Sequence, residues 1–391
     1  MELRALTPSD QAAAAFLEAE AFGGGKRPAP PLDKPGSPAL GVFEGSRLVA
    51  LATIHSLHLN WDGREAPMGG IAGVACAADQ RGRGHVGHLM AESLRAMQEA
   101  GQYLSGLYPF ALVFYRRHGW EWVGEKRQYT IPAAELPFAP EGRHLRCYDG
   151  PEALEVIRPM YDAFTRRYRG MTTRRDPIPN FWGKAVDHID NRTTYVQVYE
   201  NPQTGQAEGY LTFRFPEDDD PGQVGEFFAN TPEAYKGLLS VLHYYGTQIE
   251  KVEFSAPAND PLPFHFMHWD LKTRVRPLFM GRVVDVAAAF AALRPDPAFS
   301  GKIILQVADA QCEWNRQTFS VTLEAGHVTA AVSQSAPGVT LDIQALTQAY
   351  WGQPALDLVR VAGRLLVSDE TQYALLSRLL PPKICYLQDF F

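Results

Sequence analysis

IAGVACAADQRGRGHVGHLMAESLRAMQEAG, residues 71–101, packs a strand, a turn and a helix into close succession. Ile71, Val74 and Cys76 are apolar and meet no turn residue until Asp79, which suits a short buried strand. Beyond the turn Gln80-Arg81-Gly82-Arg83-Gly84, the apolar positions Val86, Leu89, Met90, Leu94 and Met97 fall at i, i+3, i+4, i+8 and i+11, one face of a helix. Gly101 stands where a left-handed C-terminal cap belongs. The helix therefore opens inside the glycine turn, and its unpaired N–H groups form an anion site. An anion there gains hydrogen bonds plus roughly 0.3–1 kcal/mol from the helix dipole. Gly82 and Gly84 admit a phosphate to the backbone, and Arg81 and Arg83 add charge. The competing reading is an ordinary solvated turn rich in Arg.

Working outward, composition bounds the rest. A chain of 391 residues, 46% hydrophobic and 21% charged, has room for two or three domains. A net charge of −7 argues against nucleic acid and agrees with recruitment of cationic small molecules. The N-terminal charges are followed by no continuous apolar run, so no signal peptide is expected. No apolar stretch approaches the roughly 20 residues of a membrane helix. Cys76, Cys147, Cys312 and Cys385 are too scattered for a zinc site or a disulfide framework; reduced thiols in a cytoplasm are expected.

Three stretches are expected. In 1–145, Thr7 caps a helix with Pro8 at its first position and Asp10 three residues beyond the cap, ending at Gly23-Gly24-Gly25. The Pro-rich segment Pro28 to Pro38 reads as a loop. Strands follow at Leu40–Phe43, Arg47–Leu59 and Pro67–Cys76, with turns at Glu44-Gly45-Ser46 and Asp62-Gly63. After the cradle helix comes a strand at Tyr103–Tyr108. In 146–285, helices near 151–168 and 178–187 precede strands near 194–200, 208–215 and 224–228. Thr231 then caps a helix whose face carries Leu238, Leu239, Val241 and Leu242. No Arg-x-x-Gly turn intervenes, so no coenzyme is expected in this unit. In 286–391, strands at Lys302–Val307, Thr318–Leu323 and His327–Val332 alternate with helices near 341–351, 354–361 and 369–380. Gly326 marks a hairpin and Ser368 is the expected last cap. The closing run, Lys383 to Phe391, is apolar and aromatic, which implies a docked tail with its α-carboxylate held in place.

Arg81-x-x-Gly84 between strand and helix resembles the acetyl-CoA motif of the GNAT acetyltransferases; it is neither a Walker loop nor a dinucleotide fingerprint. That superfamily usually has Gly or Ala where this chain has Val86. Over its whole length the chain resembles the Eis-type (enhanced intracellular survival) acetyltransferases, where a bulky apolar residue is usual at that position. The resemblance rests on Gly73-Val74-Ala75 before the glycine turn and on Tyr115-Arg116-Arg117-His118-Gly119-Trp120, a Tyr-x-x-x-Gly-aromatic turn. Further on it includes Asn259-Asp260-Pro261-Leu262, Asp285-Val286, Cys312-Glu313-Trp314-Asn315 and the terminal Phe. It implies a mixed α/β (α+β) fold: tandem GNAT domains, the second lacking a coenzyme site, then a C-terminal sterol-carrier-like α/β domain. It also implies acetyl-CoA as co-substrate, no metal, and a homo-oligomer, specifically a hexamer.

The chemistry expected is transfer of acetyl to a primary amine of a cationic small molecule, aminoglycoside-like or polyamine, or to a lysine side chain. Arg81, Gly82, Arg83, Gly84, Val86 and Gly87 would surround the pyrophosphate. The backbone N–H of Val74 or Cys76 would meet the oxyanion, as the superfamily's device implies. Tyr115 is the candidate acid: a phenol of pKa about 10 stays protonated and can donate to a thiolate. It follows a strand-like run, Ala111 to Phe114, and the resemblance places it beside the coenzyme sulfur. The resemblance assigns the base to the α-carboxylate of Phe391, which can equally be a simple anchor for the cation. Glu121, His118 and His55 are other base candidates. Arg116 and Arg117 are either solvated or near the adenine end, and Phe22, Trp61, Tyr108 and Phe110 are candidates for the substrate entrance. The competing class is a ligand- or lipid-binding protein with a vestigial acetyltransferase domain.

Overall fold

A computed structural model describes the chain except for residues 24–30, 33, 177, 178, 191, 192, 218, 219 and 267–270. Part of the expected Pro28–Pro38 loop, and Gly24 and Gly25, lie outside the described residues. The first unit runs β1 (Glu2–Ala5), α1 (Gln11–Phe22), β2 (Ala39–Glu44), β3 (Arg47–Trp61), β4 (Arg64–Cys76), α2 (His85–Glu99), β5 (Leu104–Leu107), α3 (Leu112–Arg116) and β6 (Glu121–Pro132). Thr7 opens the first helical segment, its N–H donating to the Asp10 carboxylate at 2.9 Å. Asp62 and Gly63 take left-handed φ values of 50° and 79°, the turn that a tight hairpin between β3 and β4 needs. In α2, Leu89, Met90, Leu94 and Met97 are all buried. Past its end Gly101 has φ 72°, and the Gln102 N–H reaches back to Met97 O at 2.9 Å.

The second unit runs β7 (Leu145–Tyr148), α4 (Ala153–Thr165), α5 (Phe181–Asp190), β8 (Tyr195–Glu200), β9 (Ala207–Arg214), β10 (Gly222–Ala229), α6 (Pro232–Tyr245), β11 (Lys251–Pro257), α7 (Leu262–His265) and β12 (Lys272–Val283). Thr231 caps α6 as expected, accepting from Ala234 N. One twelve-stranded sheet runs through both units in the order β1-β2-β3-β4-β5-β12-β6-β11-β10-β9-β8-β7. β12 thus belongs to the second unit by chain order yet lies between β5 and β6 of the first, antiparallel to both.

The third unit contains α8 (Val286–Ala292), β13 (Gly301–Ala308), β14 (Thr318–Glu324), β15 (His327–Val332), β16 (Val339–Asp342), α9 (Ile343–Trp351), α10 (Leu356–Val361), β17 (Leu365–Val367) and α11 (Glu370–Leu379). Its five strands order as β15-β14-β13-β16-β17. The last helix is capped by Asp369, which accepts from Thr371 N and Gln372 N, and not by Ser368, whose hydroxyl donates to Pro337 O. A carboxylate outcompetes a hydroxyl for two amide hydrogens when either can reach.

Arg282 on β12 ties the units together. Its guanidinium is fully buried, donates to His118 O at 2.9 Å and pairs with Asp309 at 2.9 and 2.8 Å. It lies 5.3 Å from the Trp120 ring centre. Gly119, at φ 92°, makes this possible, since a Cβ there would stand 1.2 Å from the guanidinium. Arg282→Met should cost about 3–5 kcal/mol, the penalty for stranding a buried charge. Gly119→Ala should be destabilised too, both read from urea midpoints. A loss below about 1 kcal/mol in Arg282→Met would mean that this pair does not hold the units together.

Candidate active site

β4 and β5 run in parallel register only from Met68 to Ile71 against Leu104 to Leu107. β4 then continues to Cys76, followed by β3 on its other side, while the chain leaving β5 turns away through Tyr108–Ala111 into α3. From Ala72 onward that edge of β4 has no strand partner among the described residues, and a cavity of about 720 Å³ opens there. Of the candidate coenzyme residues, Val74, Cys76, Arg81, Gly82, Gly84, Val86 and Gly87 line it, and Arg83 does not; it is exposed. Gly84 is the N-cap of α2, left-handed at φ 86°, with no side chain capping the helix start. A Cβ at Gly82 would meet nothing within 4 Å, so the backbone is open to close approach. His85 in the same wall is buried, and neither ring nitrogen has a partner among the described residues. These features fit an extended ligand with a diphosphate at the helix start and an uncharged arm along β4.

Tyr115 lies in a helix, not after a strand: Ala111 is extended and residues 112–116 form α3. The apolar run was misleading because Leu112 and Val113 stay exposed, and it is Tyr115 that the short helix buries. Tyr115 is buried, with ring centres 5.4 Å from Phe110 and 5.1 Å from Phe114, both of which line the cavity. Burial pushes its phenol up to about 12, so it remains protonated at neutral pH. Its carbonyl accepts from His118 N and Trp120 N, which binds it to the Gly119 turn.

The other candidates separate. Glu121 is buried between Arg116 at 2.7 Å and Arg364 at 3.2 Å, an ion pair and not a base facing the cavity. Arg116 is thereby engaged, while Arg117 and His118 line the cavity. Burial holds the His118 imidazole below its ordinary pKa. His55 Nδ1 meets Ser37 Oγ at 2.8 Å. Phe22 and Phe110 line the cavity and are exposed. Trp61 does not: it is buried against Tyr350 and Trp351, at 5.2 and 4.9 Å, in the seam with the third unit. Tyr108 is also elsewhere, its rings 4.7 and 5.6 Å from Phe390 and Phe391 and its hydroxyl donating to Asp389 O at 2.8 Å.

The tail is docked, though not by both closing Phe rings. Tyr386 and Leu387 are buried, Phe390 is 69% exposed, and Phe391 is half-buried with its ring against Gly70 of β4. The anchor is Asp389. Arg174, itself buried, donates to it at 2.6–3.0 Å and also pairs with Glu226. Arg174, Glu226 and Asp389 border a second cavity of about 370 Å³. None of the three was foreseen. They are far apart in sequence, and a lone Asp in an otherwise apolar tail was the single available signal.

An acetyltransferase (GNAT) domain model matches residues 2–123, a second acetyltransferase (GNAT) model matches 170–283, and a sterol carrier protein domain model matches 286–388. An uncharacterized N-acetyltransferase of Streptomyces avermitilis is 24% identical over 343 residues, covering 84% of this chain and 82% of that protein. Among solved structures, a probable N-acyltransferase of Enterococcus faecalis aligns with TM-score 0.87 at 20% identity, over 100% of this chain and 99% of that one. Eis1 from Mycobacterium abscessus aligns with TM-score 0.79 at 21% identity over 100% of both chains.

Cysteine labelling probes the cavity. Cys147 is exposed, Cys312 and Cys385 are buried, and Cys76 lies in the cavity wall with its thiol pKa raised by burial. Alkylation read by mass spectrometry should label Cys147, spare Cys312 and Cys385, and label Cys76 slowly. Added CoA should protect Cys76 alone; equal labelling with and without CoA would remove the coenzyme from this cavity.

Proposed function

As a member of the GNAT acetyltransferases, in the Eis-like arrangement of two GNAT domains followed by a sterol carrier domain, the chain is an acyltransferase, and we propose that it acetylates a primary amine of a cationic molecule. The acceptor is an aminoglycoside-like compound, a polyamine or a lysine side chain, and transfer is direct within a ternary complex. The observation that carries this reading is the unpaired edge of β4 facing an uncapped helix start, with Tyr115 beside the opening.

Arg81, Gly82, Gly84, Val86 and Gly87 are the residues that would hold the pyrophosphate, with Arg83 contributing long-range charge at most. Acetyl-CoA supplies an activated acyl group on sulfur. The backbone amides around Val74 and Cys76 stand on the open strand edge, where fixed dipoles stabilise a developing oxyanion without reorganising. Tyr115, with its proton held by burial, donates to the departing sulfur. On the other face of the sheet Phe391 packs at Gly70, so its α-carboxylate is available to draw an ammonium towards β4.

A thiol-release assay with acetyl-CoA against polyamines, aminoglycosides and lysine peptides tests the activity and its acceptor class together. Tyr115→Phe should bind CoA as the wild type does and lose about 10²–10⁴-fold in kcat. A loss under twofold would leave Tyr115 as packing alone. Extending the chain by several residues past Phe391 should raise KM for the cationic acceptor; an unchanged KM in a folded variant would remove the terminal carboxylate from acceptor binding.

A further inference from the structure

α1 and α2 cover opposite faces of β3 and β4. Leu17 and Ala14 of α1 share a core cluster with Leu51 and Ala75, whereas Leu89 and Met90 of α2 cluster with Ala50, Ala52 and Val74. Glu18 turns in towards the sheet. A Cβ on Gly73 would stand 3.5 Å from Glu18 Oε1 and 3.7 Å from Thr53 Oγ1. Gly73, at φ 59°, lies in the irregularity where β4 slips against β3, and it immediately precedes Val74 in the cavity wall. One turn further along α1, Ala21 and Phe22 line that wall too.

Among the described residues Glu18 has neither a hydrogen-bond partner nor a counter-ion. Burial is what acts on it, raising its pKa above the usual carboxylate range. Glu18 is half-buried, and carboxylates whose titration is shifted in this way, with no partner of their own, concentrate where a ligand supplies the missing charge. Phe391 lies on the same face, against Gly70, three residues upstream and so roughly 10 Å back along the strand at about 3.3 Å per residue.

We propose that Glu18 is the carboxylate that receives the acceptor ammonium at the strand splay and takes its proton. This rests on the acetyl-transfer reading above. An alkylammonium of pKa about 10.4 is neutral in only about one molecule in 2,500 at pH 7, so a proton must leave before attack. Glu18 takes that proton, directly or through one water, and passes it to solvent. The freed nitrogen pair forms the C–N bond as the C–S bond breaks. The departing sulfur takes the Tyr115 proton, the second nitrogen proton goes to water, and water reprotonates the phenolate. The net products are an amide, a thiol and one released proton.

The test is Glu18→Gln, which keeps the shape and removes the charge. It is assayed with the best alkylamine acceptor of the panel and with an O-alkylhydroxylamine of the same chain, whose nitrogen is already neutral at pH 7. The expected result is a fall of at least about a hundredfold in kcat/KM for the alkylamine, a change of less than about fivefold for the hydroxylamine ether, and partial rescue by Glu18→Asp. CoA affinity by calorimetry and the melting temperature should match the wild type. Equal losses on both acceptors, or no loss on either, overturn the role of Glu18. Absence of thiol release by the wild type with every amine overturns acetyl transfer itself, and the Glu18 role with it.

Discussion

A guanidinium with no access to water must find its anion and its acceptors inside the protein, and Arg282 finds them in two other parts of the chain. Its own strand, β12, comes from the second unit; the His118 carbonyl and Trp120 ring come from the first, and the Asp309 carboxylate from the third. Because removing any partner would strand a buried charge, the three units cannot settle independently. The same contact explains the Gly119-Trp120 pair. Glycine is required because the guanidinium occupies the space of a side chain, and the turn it makes is hydrogen-bonded to the Tyr115 carbonyl. The position of the candidate acid is therefore a consequence of how the domains are joined.

The neighbouring residues follow the same logic. Asp285 caps α8 and accepts from Gln98 of α2, while Trp314 and Asn315 donate to Val284 O. These are the residues of Asp285-Val286 and Cys312-Glu313-Trp314-Asn315, motifs whose spacing has no meaning within one unit. Their role is to seat the third unit on β12. At the other end, the Asp389–Arg174–Glu226 cluster fastens the tail to the second unit, so that Phe391 reaches β4. The cavity is lined by the open end of β4, the glycine turn and start of α2, the end of α1 and the α3 turn.

Much of this was legible in advance, and what was not has a common cause. The buried stripe of α2, the hairpin at Asp62-Gly63, the Thr231 cap and most of the cradle residues depend on neighbours within about one helical turn. The errors depend on distant ones. Ala111 to Phe114 is apolar enough for a strand, but beyond the extended Ala111 it closes as one turn of helix, with Tyr115 as its buried residue. Trp61 looked like an entrance residue until Tyr350 and Trp351 covered it. Glu121 looked like a free carboxylate until Arg364, from the third unit, and the local Arg116 enclosed it.

The sequence by itself determined the strand–glycine turn–helix succession, the buried stripe of α2, the Asp62-Gly63 hairpin and the Thr231 cap, because periodicity, capping and turn chemistry act over a few residues. Only the tertiary structure decided which charges are satisfied and which stand free. Arg282 meets Asp309, and Arg174 meets Asp389 across a separation of 215 residues. Glu18 meets no cation among the described residues, and that contrast becomes visible only once every element is packed. Short-range hydrogen bonding leaves a local record in the chain, whereas the pairing of buried charges is written only in space.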